Sequence, residues 1–416
     1  MDNLKKLNIK EPNILAMLFV FSMPNTVIAS LTPGLIQLGK YFNISSSAML
    51  CYVTTLAVLG YAIGPIIAPV IANCYGRKGA IFTGMLLIIT GALGNIIFSI
   101  WLTDYSLFLI FRVISGLGAG IAITAVPAMI HDYYDEVNAK KKLFTVSGIY
   151  CLWPGFILIF CSFLSYYLGW ECIMTFLLLY GLLGLAACYV LPETDPNRSS
   201  GGNALGLYIK SCFNLLTNFE FMLYSMIGAL SIISMYFFIS EAPFIIINKL
   251  HYPSNEYGYF AMLPYIASFF TLILGNIFAE MLTYRKCLLI CLVDILFFSF
   301  LMLYLFLAGM IDILSFVGLS TLIIMAFSVL MGYSMNNAIK ASSNKVAASG
   351  LYLFILMLLS SIVPDIAENF NSIGYLIYPL VLVVLGILYL GLISVYFIYI
   401  RKKNSISNIT AVLTCE

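Results

Sequence analysis

Arg112, Glu241 and Asp294 are charged side chains set inside long apolar runs of this 416-residue sequence. Arg112 lies in YSLFLIFRVISGLGAGIAITAVPAMI (Tyr105 to Ile130), Glu241 in FFISEAPFIII and Asp294 in CLLICLVDILFF. A carboxyl held away from water without a partner can load and release a proton near neutral pH. A guanidinium keeps its charge at every physiological pH, so Arg112 can only act electrostatically, by pairing with an acid or holding a backbone or substrate oxygen. Other chemistry is poorly represented. No H-E-x-x-H, G-x-S-x-G or ATP-binding G-x-x-x-x-G-K-[ST] pattern occurs, so no enzyme is expected and energy must come from a gradient or a partner. His131 and His251 have no ligand-spaced neighbour, Cys287 and Cys291 share only an i, i+4 face, and no metal or cofactor is expected.

The surrounding chain explains why these charges matter. Hydrophobic residues make up 62% and charged residues 9%, against roughly 25% charged in a soluble protein. That composition requires lipid as solvent, and a net charge of +2 gives nucleic acid nothing to bind. Apolar stretches of about 20 residues, each able to cross a ~30 Å hydrocarbon core, begin near residues 13, 47, 80, 105, 143, 170, 218, 256, 287, 313, 346 and 374. The first is too long for a signal-peptide core and is expected to remain as span one. Of the 20 Lys and Arg residues, Lys40 and Lys249 fall in outer segments and Arg112 within a span. All others fall on the side of the N-terminus, which predicts that both termini are cytoplasmic.

The two halves repeat at an offset of about 210 residues, as in transporters that rock around a central site. SLTPGLIQLGKYFNIS (Ser30 to Ser45) matches SEAPFIIINKLHYPSN (Ser240 to Asn255), Pro33 faces Pro243, and Pro154 faces Pro364. The expected fold is all-α: twelve transmembrane helices in two six-helix bundles. The bundles would span residues 1-192 and 218-400, joined by a cytoplasmic loop at 193-217 and followed by a tail at 401-416.

Several segments resemble the major facilitator superfamily. NCYGRKGAI (Asn73 to Ile81) is similar to its signature loop between spans two and three, and RVISGLGAG (Arg112 to Gly120) to its span-four motif. LGWECIMTF and LPET bracket span six as in drug-efflux members. ISEAPFIIINKLHYPSNEYGYF and MNNAIKASSNKVAASGLYLFIL resemble the Bcr/CflA-type drug-resistance branch of drug:proton antiporters. The resemblance implies export of drugs or small metabolites, driven by inward proton flow. Asn73 and Ala29 stand where that pattern has acids, and Cys161 and Ser162 where its span five has glycines. A proton-coupled mechanism therefore falls to Glu241 or Asp294, with Arg112 facing the cavity between the halves.

By the same resemblance, spans one, four, seven and ten wall the cavity. Asn25, Thr26, Ser30, Tyr236, Phe237, Ser320 and Thr321 are its candidate residues, a weakly polar set suited to an amphiphilic or neutral substrate. Asn73, Gly76, Arg77 and Lys78, with Glu280 and Arg285 in the second half, are expected to form a conformational latch. Gly116 and Gly120 form a small-xxx-small pair for close helix packing, and Pro154 shapes span five. Partners would be a small-molecule substrate, protons and the bilayer, with the chain acting as a monomer in a plasma membrane, the inner membrane in a bacterium. Export of a drug or of an endogenous metabolite such as a siderophore, and uptake or uniport of a nutrient, remain open on these residues.

Overall fold

The computed structural model describes residues 10–44, 46–194, 203–281, 284–342, 345–368 and 371–413, and every regular element among them is helical. Twelve spans follow in order. Span one is Ile14–Ala29, a 3₁₀ turn at Thr32–Gly34, and Leu35–Tyr41. Spans two and three share the stretch Ser47–Ile96, broken at Gly76. Tyr105–Tyr133, Glu136–Leu168 and Glu171–Val190 complete the first half. The second half comprises Phe219–Pro243, Ser254–Met281, Tyr284–Leu307, Ile313–Lys340, Lys345–Glu368 and Ile377–Leu413.

Local chemistry sets several of these starts. Asn13 Oδ1 accepts from Leu15 N at 2.9 Å, Asp104 Oδ1 from Leu107 N at 3.1 Å, and Asn218 Oδ1 from Phe221 N at 3.1 Å. Each satisfies a helix-start donor that lipid would leave stranded. Pro33 and Pro243, paired by the repeat, mark equivalent breaks. After Ala29 the α-helix gives way to a 3₁₀ turn, and after Pro243 to a π-helical segment, Phe244–Lys249. A proline has no N–H, so the α-helical ladder cannot run through it unbroken.

Span four packs by its glycines. A Cβ on Gly120 would come within 2.5 Å of Tyr61 O and 3.0 Å of Gly64 Cα on span two, so only glycine permits this approach. Gly116 meets Ala57 O on the same span, while Gly118 turns to Gly84 of span three. The halves meet along two seams. Span five packs on span eight, where Gly258 approaches Ile159 Cα, and span two on span eleven, where Gly350 approaches Pro65 O. Pro154 is buried, next to Gly155, which abuts Met262 of span eight.

Two segments differ from expectation. The joining segment, expected as a loop, contains a helix at Asn203–Leu216. Tyr208, Cys212 and Leu215 repeat at helical spacing and turn inward, Tyr208 reaching Gly350, while Ile209, Phe213 and Leu216 are exposed. The Gly-Gly-Asn before it masks this amphipathic period in the sequence. The expected tail is likewise helical, continuing span twelve to Leu413.

Candidate functional site

Arg112 is fully buried, at 0% exposure, which excludes the reach to outer headgroups that its depth of about 10 Å barely permits. Its partners are backbone oxygens. Nε donates to Val53 O of span two at 3.0 Å, and Nη2 donates to Val27 O of span one at 2.6 Å. Val27 lies in the last turn before the break at Thr32–Gly34, where helix carbonyls lack intrahelical donors. A fixed positive charge is favourable there, against the negative end of the helix dipole. Nη1 is buried without a partner. Of the partners the sequence allows this guanidinium, an acid or a backbone or substrate oxygen, it takes backbone oxygens, at the broken end of span one and on span two.

Glu241 lies at the end of span seven, on the side that the basic residues assign to the outside, and is 8% exposed. It sits at a junction between the halves. Cys51 Sγ of span two donates to Glu241 Oε1 at 3.6 Å and to Ser240 O at 3.7 Å. One turn deeper, Thr54 Oγ1 and Ser240 Oγ share a hydrogen bond of 3.1 Å. These contacts hold the carboxyl at a closed junction between the halves, away from water.

The centre of the molecule is phenolic. Tyr61 of span two, Tyr150 of span five and Tyr236 of span seven lie within electrostatic reach of one another, and Tyr265 of span eight lies within reach of Tyr236. Asn25 Nδ2 donates to Tyr150 O at 2.9 Å, and Phe21 meets the Tyr150 ring edge-on at 5.1 Å. Asn25, Tyr150, Trp153 and Tyr236 are half-buried where spans one, five and seven converge. Thr26 is buried beside them, accepting from Trp153 Nε1 at 2.9 Å. Ser30 is buried with no partner for its hydroxyl.

The other candidates lie elsewhere. Phe237 turns into the second half and stacks on Tyr378 at 5.7 Å, and Tyr378 donates to Ser320 at 3.1 Å. Thr321 is buried and donates to Val317 O of its own helix. These three therefore belong to the packing of spans seven, ten and twelve rather than to the central group, because helix rotation turns them one face away. Asp294 is half-buried on span nine between exposed Val293 and Phe297, with Oδ2 unpartnered, and is not brought to Glu241 or Arg112. The side chain of Glu280 lies outside the described residues, so its expected pairing with Arg285 does too.

The loop at Gly76 is built around an acid from elsewhere. Gly76 has φ 81, and a Cβ there would lie 2.5 Å from Glu193 Cδ, so both conformation and space demand glycine. The turn presents the first N–H groups of span three to Glu193: Arg77 N donates to Oε1 at 2.9 Å and Lys78 N to Oε2 at 3.1 Å. Arg77 Nε pairs with Asp132 Oδ2 of span four at 3.2 Å, and Lys78 Nζ donates to Tyr189 O at 2.9 Å. Asn73 is half-buried in the preceding turn. The carboxylate that Asn73 cannot supply is provided to this helix start by Glu193 of LPET. These described bonds brace spans three, four and six of one half, where the sequence reading expected a latch. Glu193→Ala should cost about 1 kcal/mol through the lost cap. Thermal unfolding in detergent should show a fall of about 1 °C, mostly recovered by Glu193→Gln; an unchanged midpoint would count against the brace.

The model of the Major Facilitator Superfamily matches residues 14–364. The chain belongs to that superfamily. The fold agrees: a D-xylose-proton symporter superposes with TM-score 0.69 at 14% identity, covering 90% of this chain and 95% of that one. An uncharacterized transporter of Rickettsia felis is 28% identical over 266 residues, 62% of this chain and 63% of its own length. A bicyclomycin resistance protein homolog of Haemophilus influenzae is 21% identical over 247 residues, 59% of this chain and 61% of its own. Both curated matches thus span less than two thirds of the relative. In the facilitator frame, the residues that sequence reasoning missed are Cys51, Ser240, Tyr61, Tyr150, Trp153, Asp132 and Glu193. LPET and the acid ending span four were visible signals for the last two; an aromatic or thiol among many others gives none.

Proposed function

We propose that this facilitator exports a small, uncharged amphiphile, a drug or an endogenous metabolite, in exchange for protons by alternating access. The substrate site is the phenolic centre of Tyr61, Tyr150, Tyr236 and Asn25. The interaction partners of these phenols include no charged group among the described residues, which favours a neutral, partly aromatic substrate over a sugar phosphate. The proton site is Glu241. The observation that carries the reading is its burial at a contact between the halves, so that separating them wets the carboxyl and closing them dries it. Glu241 is preferred to Asp294 because span nine presents exposed apolar residues around Asp294. The proton is loaded on Glu241 from outside when the outer contact opens; its inward release runs along the Thr54 and Ser240 hydroxyls, one turn deeper, toward the centre when the centre opens to the other side. Membership in a superfamily that includes a bicyclomycin resistance homolog supports efflux, and the basic-residue distribution supports cytoplasmic termini in a plasma membrane, the inner one in a bacterium.

The test is transport in proteoliposomes under an imposed pH gradient. A neutral amphiphilic antibiotic or dye should move toward the acidic compartment and stop when an ionophore collapses the gradient. Movement with the proton flow, toward the alkaline side, would establish uptake instead and overturn export.

A further inference from the structure

Arg285 opens span nine and Arg401 ends the apolar part of span twelve, so both stand at the membrane face that carries Arg77 and Lys78. They line one cleft of about 380 Å³, together with Phe397 and Ile398. Both guanidiniums are exposed, and among the described residues no carboxylate lies within ion-pair distance of either. Two guanidiniums from different helices aimed at one cleft attract an anion, and their planar forks match phosphate oxygens in pairs.

The cleft does not open only to water. Val384, Leu388, Gly391, Val395 and Ile398 recur at alternating steps of four and three, forming one exposed stripe along span twelve that ends at the cleft. Exposure along that stripe is 53% at Val384, 52% at Leu388, 42% at Val395 and 69% at Ile398. We propose that the cleft holds the phosphate of an anionic phospholipid from the adjoining leaflet, with one acyl chain along this stripe. Inorganic phosphate would satisfy the arginines equally well; the stripe, contiguous with the charge, selects a lipid. Basic clefts between spans at the cytoplasmic face are suited to such headgroups.

The full-length transporter, purified in mixed phosphatidylglycerol and phosphatidylcholine micelles, would be examined for bound lipid by native mass spectrometry. Arg285→Gln with Arg401→Gln should lower retained phosphatidylglycerol about tenfold or more relative to phosphatidylcholine. Arg285→Lys with Arg401→Lys, which keeps the charge, should retain most of it. Val395→Glu leaves both arginines in place and should also release the lipid, by charging the chain's track. Millimolar inorganic phosphate should leave the lipid bound. Undiminished phosphatidylglycerol in the glutamine pair or in Val395→Glu overturns the proposal. Displacement by inorganic phosphate overturns it in favour of a free-anion site.

Discussion

Arg112→Leu should reduce transport at least tenfold, normalised to protein in the membrane, while insertion stays normal or improves. Insertion improves because removing an intramembrane charge lowers its cost. Transport falls because Val27 O, at the broken end of span one, loses its donor in a region closed to water, and Val53 O loses the donor that ties span two to span four. Each buried acceptor left unpaired costs about 1–3 kcal/mol, enough for one such loss to shift a conformational equilibrium about tenfold. Arg112→Lys keeps the charge at the broken end of span one but cannot present a planar fork to spans one and two together. It should therefore retain partial activity. The comparison separates capping from proton chemistry, since a capping residue alters rate at every pH and leaves the pH dependence in place. Wild-type transport by Arg112→Leu would show that the two carbonyls need no donor and remove Arg112 from the mechanism.

Much of this fold is readable from sequence because the bilayer imposes length, and breaks between spans must carry polar residues. Asn13, Asp104, Asn218 and Asp312 are such residues, each capping the helix that follows. Pro33 and Pro243 were legible for a related reason: a missing N–H has the same consequence in both halves. What could not be read is which way each helix faces. In a soluble helix the polar side betrays rotation, but here lipid and interior are equally apolar, and Phe237 and Tyr236 look interchangeable until one stacks on Tyr378 and the other joins Tyr61. The partners of Arg112 were hidden for a different reason. They are backbone carbonyls, whose availability depends on where span one breaks and on how closely Gly116 and Gly120 draw span four onto span two.

Glu241→Gln tests whether the outer junction carries the proton. Glutamine has the same shape and still offers an oxygen to the Cys51 thiol, so the contact between spans two and seven survives. Only the ability to exchange a proton is lost. Accumulation driven by a pH gradient should fall to the level seen without one, while exchange of substrate between the two sides stays within about twofold, because the two-state rocking needs no charge at a junction that is dry when closed. The pH dependence of exchange should flatten for the same reason. Glu241→Asp retains a carboxyl at a shorter reach and should keep coupling with altered pH dependence. Cys51 supplies an independent measure of the junction. It is buried behind Glu241 in this closed arrangement, so an impermeant thiol reagent should reach it only when the outer end opens. In Glu241→Gln, with a permanently neutral group favouring closure, labelling of Cys51 should slow. Full pH-driven accumulation in that variant, with unchanged labelling, would reduce Glu241 to a packing residue and leave Asp294 as the other candidate acid to test.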